Sequence, residues 1–250
     1  MSRRPLIAAN WKMNKTVPEA LQFLEDLKAG LVDDEPAEVA IAPPFTALES
    51  VGRHLAGTAV GLAAQNLHWE EKGAFTGEIS AEMLGQLGCR YVIVGHSERR
   101  QLFGETDKTV NLRLRTASLH GLTPILCLGE TREEREAGRT NEVLTTQLTR
   151  GLEGLYPDPL AELVIAYEPV WAIGTGLTAT VDQAQEAQAH LRLLLARITD
   201  KKLANETRIL YGGSVKPENV TSLMAMPDLD GALVGGASLT AESFLGIIHF

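Results

Sequence analysis

An apolar run, Leu163 to Tyr167, ends on a carboxylate, Glu168, which is followed at once by Pro169, Val170 and Trp171 and then by Gly174-Thr175-Gly176. Such neighbours solvate an anion poorly, and desolvation raises a carboxylate's pKa toward the working range of a general base. The alternative for Glu168 is an ordinary strand-end carboxylate in a solvated ion pair. His96 follows Tyr91-Val92-Ile93-Val94-Gly95 and precedes Ser97-Glu98-Arg99-Arg100-Gln101-Leu102, which reads as the opening of a helix with Ser97 as its cap. The positive end of a helix dipole disfavours imidazolium, so His96 there would stay neutral and donate a hydrogen bond. A histidine without that setting is more often structural.

Lys12 stands two residues past another apolar run, beside Asn10 and Trp11. In isolation it would be a solvated surface lysine; here it can supply the fixed positive charge that an anionic ligand requires. Gly212-Gly213-Ser214 and Gly235-Gly236 follow the last two apolar runs. A glycine pair alone commonly marks a turn, but at those places barrels build phosphate sites from backbone N–H groups and a helix N-terminus. No second histidine stands at metal-ligand spacing to His96, so neither metal nor cofactor is expected. One acid/base, one neutral electrophile, one cation and a phosphate cradle suit proton transfer beside a carbonyl of a small phosphorylated substrate. No nucleophile–base pair for acyl transfer is evident.

Residues so far apart need a scaffold that gathers strand ends. Eight short apolar runs recur: Leu6–Ala9, Val39–Ala42, Ala59–Ala64, Tyr91–Val94, Pro124–Leu128, Leu163–Tyr167, Arg208–Tyr211 and Ala232–Val234. Most lack strict alternation, as strands buried on both faces do. Between them lie helical patterns. One opens at Thr16-Val17-Pro18-Glu19 and continues through Leu21, Leu24, Leu27 and Leu31; another opens at Thr180-Val181-Asp182-Gln183 and continues through Ala184, Ala187, Leu191 and Leu194. Both openings have capping-box spacing. The rhythm predicts an α/β protein, a closed (β/α)₈ barrel over residues 1–250 as a single domain, with function at the C-terminal strand ends. A doubly wound open sheet is the competitor, but it would carry a glycine fingerprint after the first strand, where this chain has Asn10-Trp11-Lys12.

The 250 residues carry a formal net charge of −9 and no block rich in Lys or Arg, so the footprint of a nucleic-acid binder is missing. Cys89 and Cys127 are too few for a four-ligand metal site or a disulfide framework, and each reads as a small buried residue in a reducing compartment. The apolar stretch near the start stops at Asn10, too short for an export signal, and no run approaches transmembrane length. A cytoplasmic location is the expectation.

Five stretches in order resemble the triosephosphate isomerase family: Ala9–Asn14, Val94–Arg100, Ala166–Gly176, Tyr211–Val215 and Asp230–Gly236. The resemblance runs essentially end to end. It implies a TIM barrel that interconverts glyceraldehyde 3-phosphate and dihydroxyacetone phosphate through an enediolate. By the same resemblance Glu168 matches the family's base and His96 its carbonyl-polarising electrophile. Lys12 and Asn10 match substrate contacts, and Gly174, Ser214, Gly235 and Gly236 match the phosphate grip. Pro169 to Leu177 matches a lid, with one departure: many relatives carry lysine where this chain has Leu177. The family is normally dimeric, and Gln65 to Glu78 matches the loop that enters the partner's surface near Lys12. Two other readings stand beside this one: another phosphate-binding barrel, either a phosphosugar synthase or a sugar-phosphate epimerase, which would call for metal-ligating rim residues; and a non-catalytic phosphosugar-binding or scaffolding barrel, which would lack the base, the electrophile or the lid.

Overall fold

The computed structural model describes residues 3–155, 160, 162–173 and 178–250. Eight parallel strands close on themselves in sequence order: β1 Leu6–Asn10, β2 Glu38–Ala42, β3 Gly61–Ala64, β4 Cys89–Val94, β5 Thr123–Leu128, β6 Val164–Tyr167, β7 Arg208–Tyr211 and β8 Gly231–Val234. The fold is therefore the (β/α)₈ barrel that the strand rhythm predicts. Each expected run contains or overlaps its strand. Only the third is clearly shorter than read, because Ala59 and Val60 precede it.

Strand alternation divides the apolar residues between two cores. Leu6, Ala8, Ala40, Ala63, Tyr91, Ile93, Ile125, Cys127, Ala166, Leu210 and Leu233 fill the lumen. Ile7, Ala9, Ile41, Val92, Val94, Leu126, Ile165 and Ile209 face the helices. Both faces are dry, which is why the strands read as continuous apolar runs. Alanines in the lumen let the strands approach, and larger residues fill the space between them.

The helices are α1 Val17–Gly30, α2 Phe45–Leu55, α3 Ala81–Gln86, α4 Ser97–Leu102, α5 Asp107–Leu119, α6 Arg132–Glu136, α7 Thr140–Gly151, α8 Val181–Ile198, α9 Lys201–Glu206, α10 Val220–Met224 and α11 Ala241–Ile248. At α8 the capping box is complete: Thr180 N–H donates to Gln183 Oε1 at 3.0 Å, and Gln183 N–H donates to Thr180 Oγ1 at 3.2 Å. At α1 the Glu19 carboxylate accepts from both the N–H and the hydroxyl of Thr16, each at 2.7 Å. These caps fix where each helix begins after its rim loop. No helix among the described residues is long and apolar enough to cross a membrane.

Candidate active site

Parallel closure sends every C-terminal strand end to one mouth. There a cavity of about 550 Å³ is lined by Asn10, Lys12, His96, Glu98, Glu168, Ser214, Gly235 and Gly236, together with Gly212, Gly213, Ile173 and Lys216. All the expected site residues within the described part of the chain thus meet in one place. Gly174, expected in the phosphate grip, and Leu177, expected at the lid's trailing hinge, lie outside the described residues.

Glu168 follows β6 and is tied to the neighbouring strand by its N–H, which donates to Leu128 O at 2.8 Å. Its side chain is 1% exposed. Ser97 N–H donates to Glu168 Oε2 at 2.9 Å and Ser97 Oγ to Oε1 at 3.3 Å, while His96 Nε2 lies 3.0 Å from Oε1. Burial pushes this carboxyl up, but His96 and the Ser97 N–H outweigh burial and hold it below the usual carboxylate value. This corrects the expectation that desolvation would leave Glu168 raised. Burial does act in that direction, but the donors gathered around the anion were not visible in its apolar sequence neighbours.

The helix cap also differs from expectation. His96, not Ser97, caps α4: its Nδ1 accepts the Glu98 N–H at 3.2 Å. With the cap filled by the imidazole, Ser97 becomes the first helical residue and its N–H is free to reach Glu168. Burial pushes His96 toward neutrality, and the Glu168 carboxylate pulls it the other way more strongly. That direction runs against the neutral ring expected from the helix dipole; because Nδ1 is an acceptor, the ring proton that faces Glu168 is the one on Nε2. Protonating Nδ1 as well would cost the cap.

Trp11 is fully buried, with its indole N–H donating to Ser238 O at 3.1 Å and Phe23 edge-on at 4.9 Å. It anchors the turn that presents Lys12. Lys12 adopts a left-handed backbone, φ 53°, uncommon for a residue with a side chain. Asn10 Oδ1 accepts the Lys12 N–H at 3.1 Å and Gln65 Nε2 donates to Lys12 O at 2.8 Å, and together they hold that conformation. Such strain is characteristic of functional sites. Lys12 Nζ then reaches Glu98 Oε1 at 2.7 Å.

Glu98 and Glu130 have no role that their sequence setting assigns. Glu130, fully buried after β5, accepts through Oε1 from Tyr167 OH at 3.1 Å, Trp171 Nε1 at 2.9 Å and Arg135 at 3.0 Å. It therefore pins the described start of the expected lid. Its position at a strand end was the available signal. Cys127 is buried beside Glu168; burial first, and then that carboxylate, push its thiol well above the ordinary value, so it stays protonated. Among the described residues no cluster of His, Cys, Asp and Glu is arranged to hold a metal ion.

A closed parallel barrel with an acid, an imidazole, a lysine and two glycine-rich turns at its C-terminal mouth defines a (β/α)₈ enzyme. The family model for triosephosphate isomerase matches residues 5–250. A triosephosphate isomerase of Chloroflexus aurantiacus is 55% identical over 248 residues, spanning 99% of both chains. One of Symbiobacterium thermophilum is 56% identical, over 98% of this chain and 96% of its own. One of Alkaliphilus metalliredigens is 53% identical, over 99% of this chain and 100% of its own. The chain belongs to the triosephosphate isomerase family.

Proposed function

We infer that this protein is an isomerase that interconverts D-glyceraldehyde 3-phosphate and dihydroxyacetone phosphate, in glycolysis and gluconeogenesis. The observation that carries the residue assignments is the meeting of Glu168 and the Nε2 side of His96, 3.0 Å apart, on a cavity that also holds Lys12 and the two glycine turns. In the reaction Glu168 takes a proton from the carbon beside the carbonyl and returns it to the neighbouring carbon. His96 Nε2–H hydrogen-bonds the carbonyl oxygen and serves both oxygens of the enediolate. Lys12 and Asn10 supply positive charge and polarity where negative charge develops, the kind of preorganised stabilisation that dominates many enzymes. Ser214, Gly235 and Gly236 receive the phosphate, and a Cβ on Gly236 would meet nothing within 4 Å, so its backbone is open to an anion.

Glu168 is held by Ser97 and His96. It must leave Ser97 to reach a carbon, so binding and base activation are coupled. Replacing Glu168 by alanine should lower kcat by roughly 10²–10⁴-fold in a coupled assay with glyceraldehyde 3-phosphate. Equal turnover in both proteins would reject Glu168 as the base.

We further propose one catalytic domain over residues 1–250, a cytoplasmic location and a homodimer formed through the Gln65–Glu78 loop. Support for the dimer comes from Met13, Phe75, Leu102 and Phe103, which are exposed although large and apolar. A small cavity beside Lys12 is bordered by Met13, Gln65, Glu98 and Phe103. Sedimentation at micromolar concentration should give twice the chain mass; a monomer would reject the proposal.

A further inference from the structure

Resting on the isomerase reading, we propose that Lys216 is an electrostatic capture residue that draws the substrate's phosphate dianion to the cradle of Ser214, Gly235 and Gly236. The charge balance of the chain favours such a group. The chain carries a formal net charge of −9, so its distant field repels an incoming dianion. Of its acids, Glu98 and Glu168 lie on the cavity lining itself. Lys12, the cation expected to meet the substrate, is compensated by Glu98 Oε1 at 2.7 Å. Lys216 is the other lysine on the lining; it is exposed, and its side chain joins no ion pair among the described residues.

Lys216 is also held in place. Its N–H donates to Asn219 Oδ1 at 2.8 Å, and Asn219 Nδ2 donates to Ser214 O at 3.0 Å, so one side chain ties the lysine to the phosphate-cradle serine. Val215, between them, is buried. Pro217 lies so close to Gly246 that a Cβ there would stand 3.1 Å from it. The backbone is thus pinned at the cradle's edge while the ammonium stays in solvent. That arrangement suits long-range attraction: a solvated charge acts over about one Debye length, roughly 10 Å at 0.1 M salt.

The test is kcat and kcat/KM for glyceraldehyde 3-phosphate, measured from about 0.01 to about 1 M ionic strength, for wild type, Lys216→Gln and Lys216→Arg. Lys216→Gln should lose roughly threefold to tenfold in kcat/KM at low salt, with kcat nearly unchanged. The deficit should vanish as salt rises, and Lys216→Arg should behave as wild type. Unphosphorylated glyceraldehyde, which lacks the dianion, should be turned over equally by all three proteins. A salt-independent deficit, or an equal loss with glyceraldehyde, would mean that the side chain merely supports the loop and would overturn the inference. So would unchanged kcat/KM at low salt in an active Lys216→Gln. A wild type inactive on the phosphorylated triose would overturn the isomerase reading, and this inference with it.

Discussion

Glu168 is confined by backbone from the neighbouring strand ends, and that confinement sets how much change the chemistry tolerates. A Cβ on Gly212 would stand 2.9 Å from Glu168 Cγ and 3.1 Å from Tyr167 O. The carbonyl belongs to β6 and cannot yield, so the carboxylate side chain must. Gly212→Ala should therefore leave a folded barrel with a misdirected Glu168, the proposed base. A displacement approaching 1 Å can cost about 10²-fold, and a shift of a few tenths should lower kcat by roughly tenfold. Steady-state kinetics beside a thermal melt would check this; unchanged kcat would show that Glu168 does not need the space Gly212 leaves. The candidate site was legible as a set, because a parallel barrel sends Asn10, Lys12, His96, Glu168, Ser214, Gly235 and Gly236 to one mouth however far apart they lie in the chain. The donors of Glu168 were not legible. Whether Ser97 or His96 caps α4 depends on which ring nitrogen accepts a hydrogen bond, and the order of residues does not encode that. The direction of the Glu168 shift followed from the same hidden choice.

Strands and caps carried most of the fold's signal, since burial on both faces and capping boxes leave local marks. The opening at Thr180 led directly to α8, whose Ala184, Ala187, Leu191 and Leu194 are buried as their spacing required. Short helices left weaker marks: α6 has a capping box at Thr131 and Glu134 but 5 residues, and α9 has 6, too few for a periodicity to register. The seam where β8 meets β1 was silent, and it tolerates little change. Gly231 pairs with Leu6, has φ +134°, and a Cβ on it would lie 1.9 Å from Leu6 O. Only glycine suits that backbone, and no rotamer change relieves a clash with a carbonyl. Gly231→Ala should cost about 3 kcal/mol or more, or prevent folding, because the strands must part where the barrel closes. Urea denaturation would measure it. A loss below about 1 kcal/mol would mean that the seam can spread at little cost.

At the scale of the whole molecule, the two mouths of the barrel divide stability from chemistry. Opposite the cavity, Glu38 at the start of β2 accepts from Tyr91 OH at 2.6 Å and from Arg208 Nη1 at 2.6 Å, with Arg90 a third donor. One carboxylate thus joins β2, β4 and β7 across the lumen. Burial pushes Glu38 up, but Tyr91, Arg208 and Arg90 together hold it below the ordinary carboxylate value of 4.5. Burial and the neighbouring carboxylate push the Tyr91 hydroxyl up to about 12, so it remains a donor at every physiological pH. A carboxyl whose folded pKa is depressed stabilises the fold above its unfolded pKa, and that stabilisation is lost as pH falls through the folded value. Glu38→Gln should accordingly be less stable than wild type at neutral pH by about 1–3 kcal/mol, the cost of leaving buried donors poorly paired. The gap should narrow as the pH falls below 4.5, where Glu38 of the unfolded chain begins to protonate, and go on narrowing through the lower folded value. Isomerase kcat/KM at neutral pH should stay within about twofold, since the substitution lies at the far mouth from Glu168 and His96. Denaturant melts at several pH values, paired with the kinetic assay, separate the possibilities. A stability gap that did not change with pH would mean that the amide disrupts packing rather than removing a charge, and a parallel loss of turnover would mean that the two mouths are mechanically coupled.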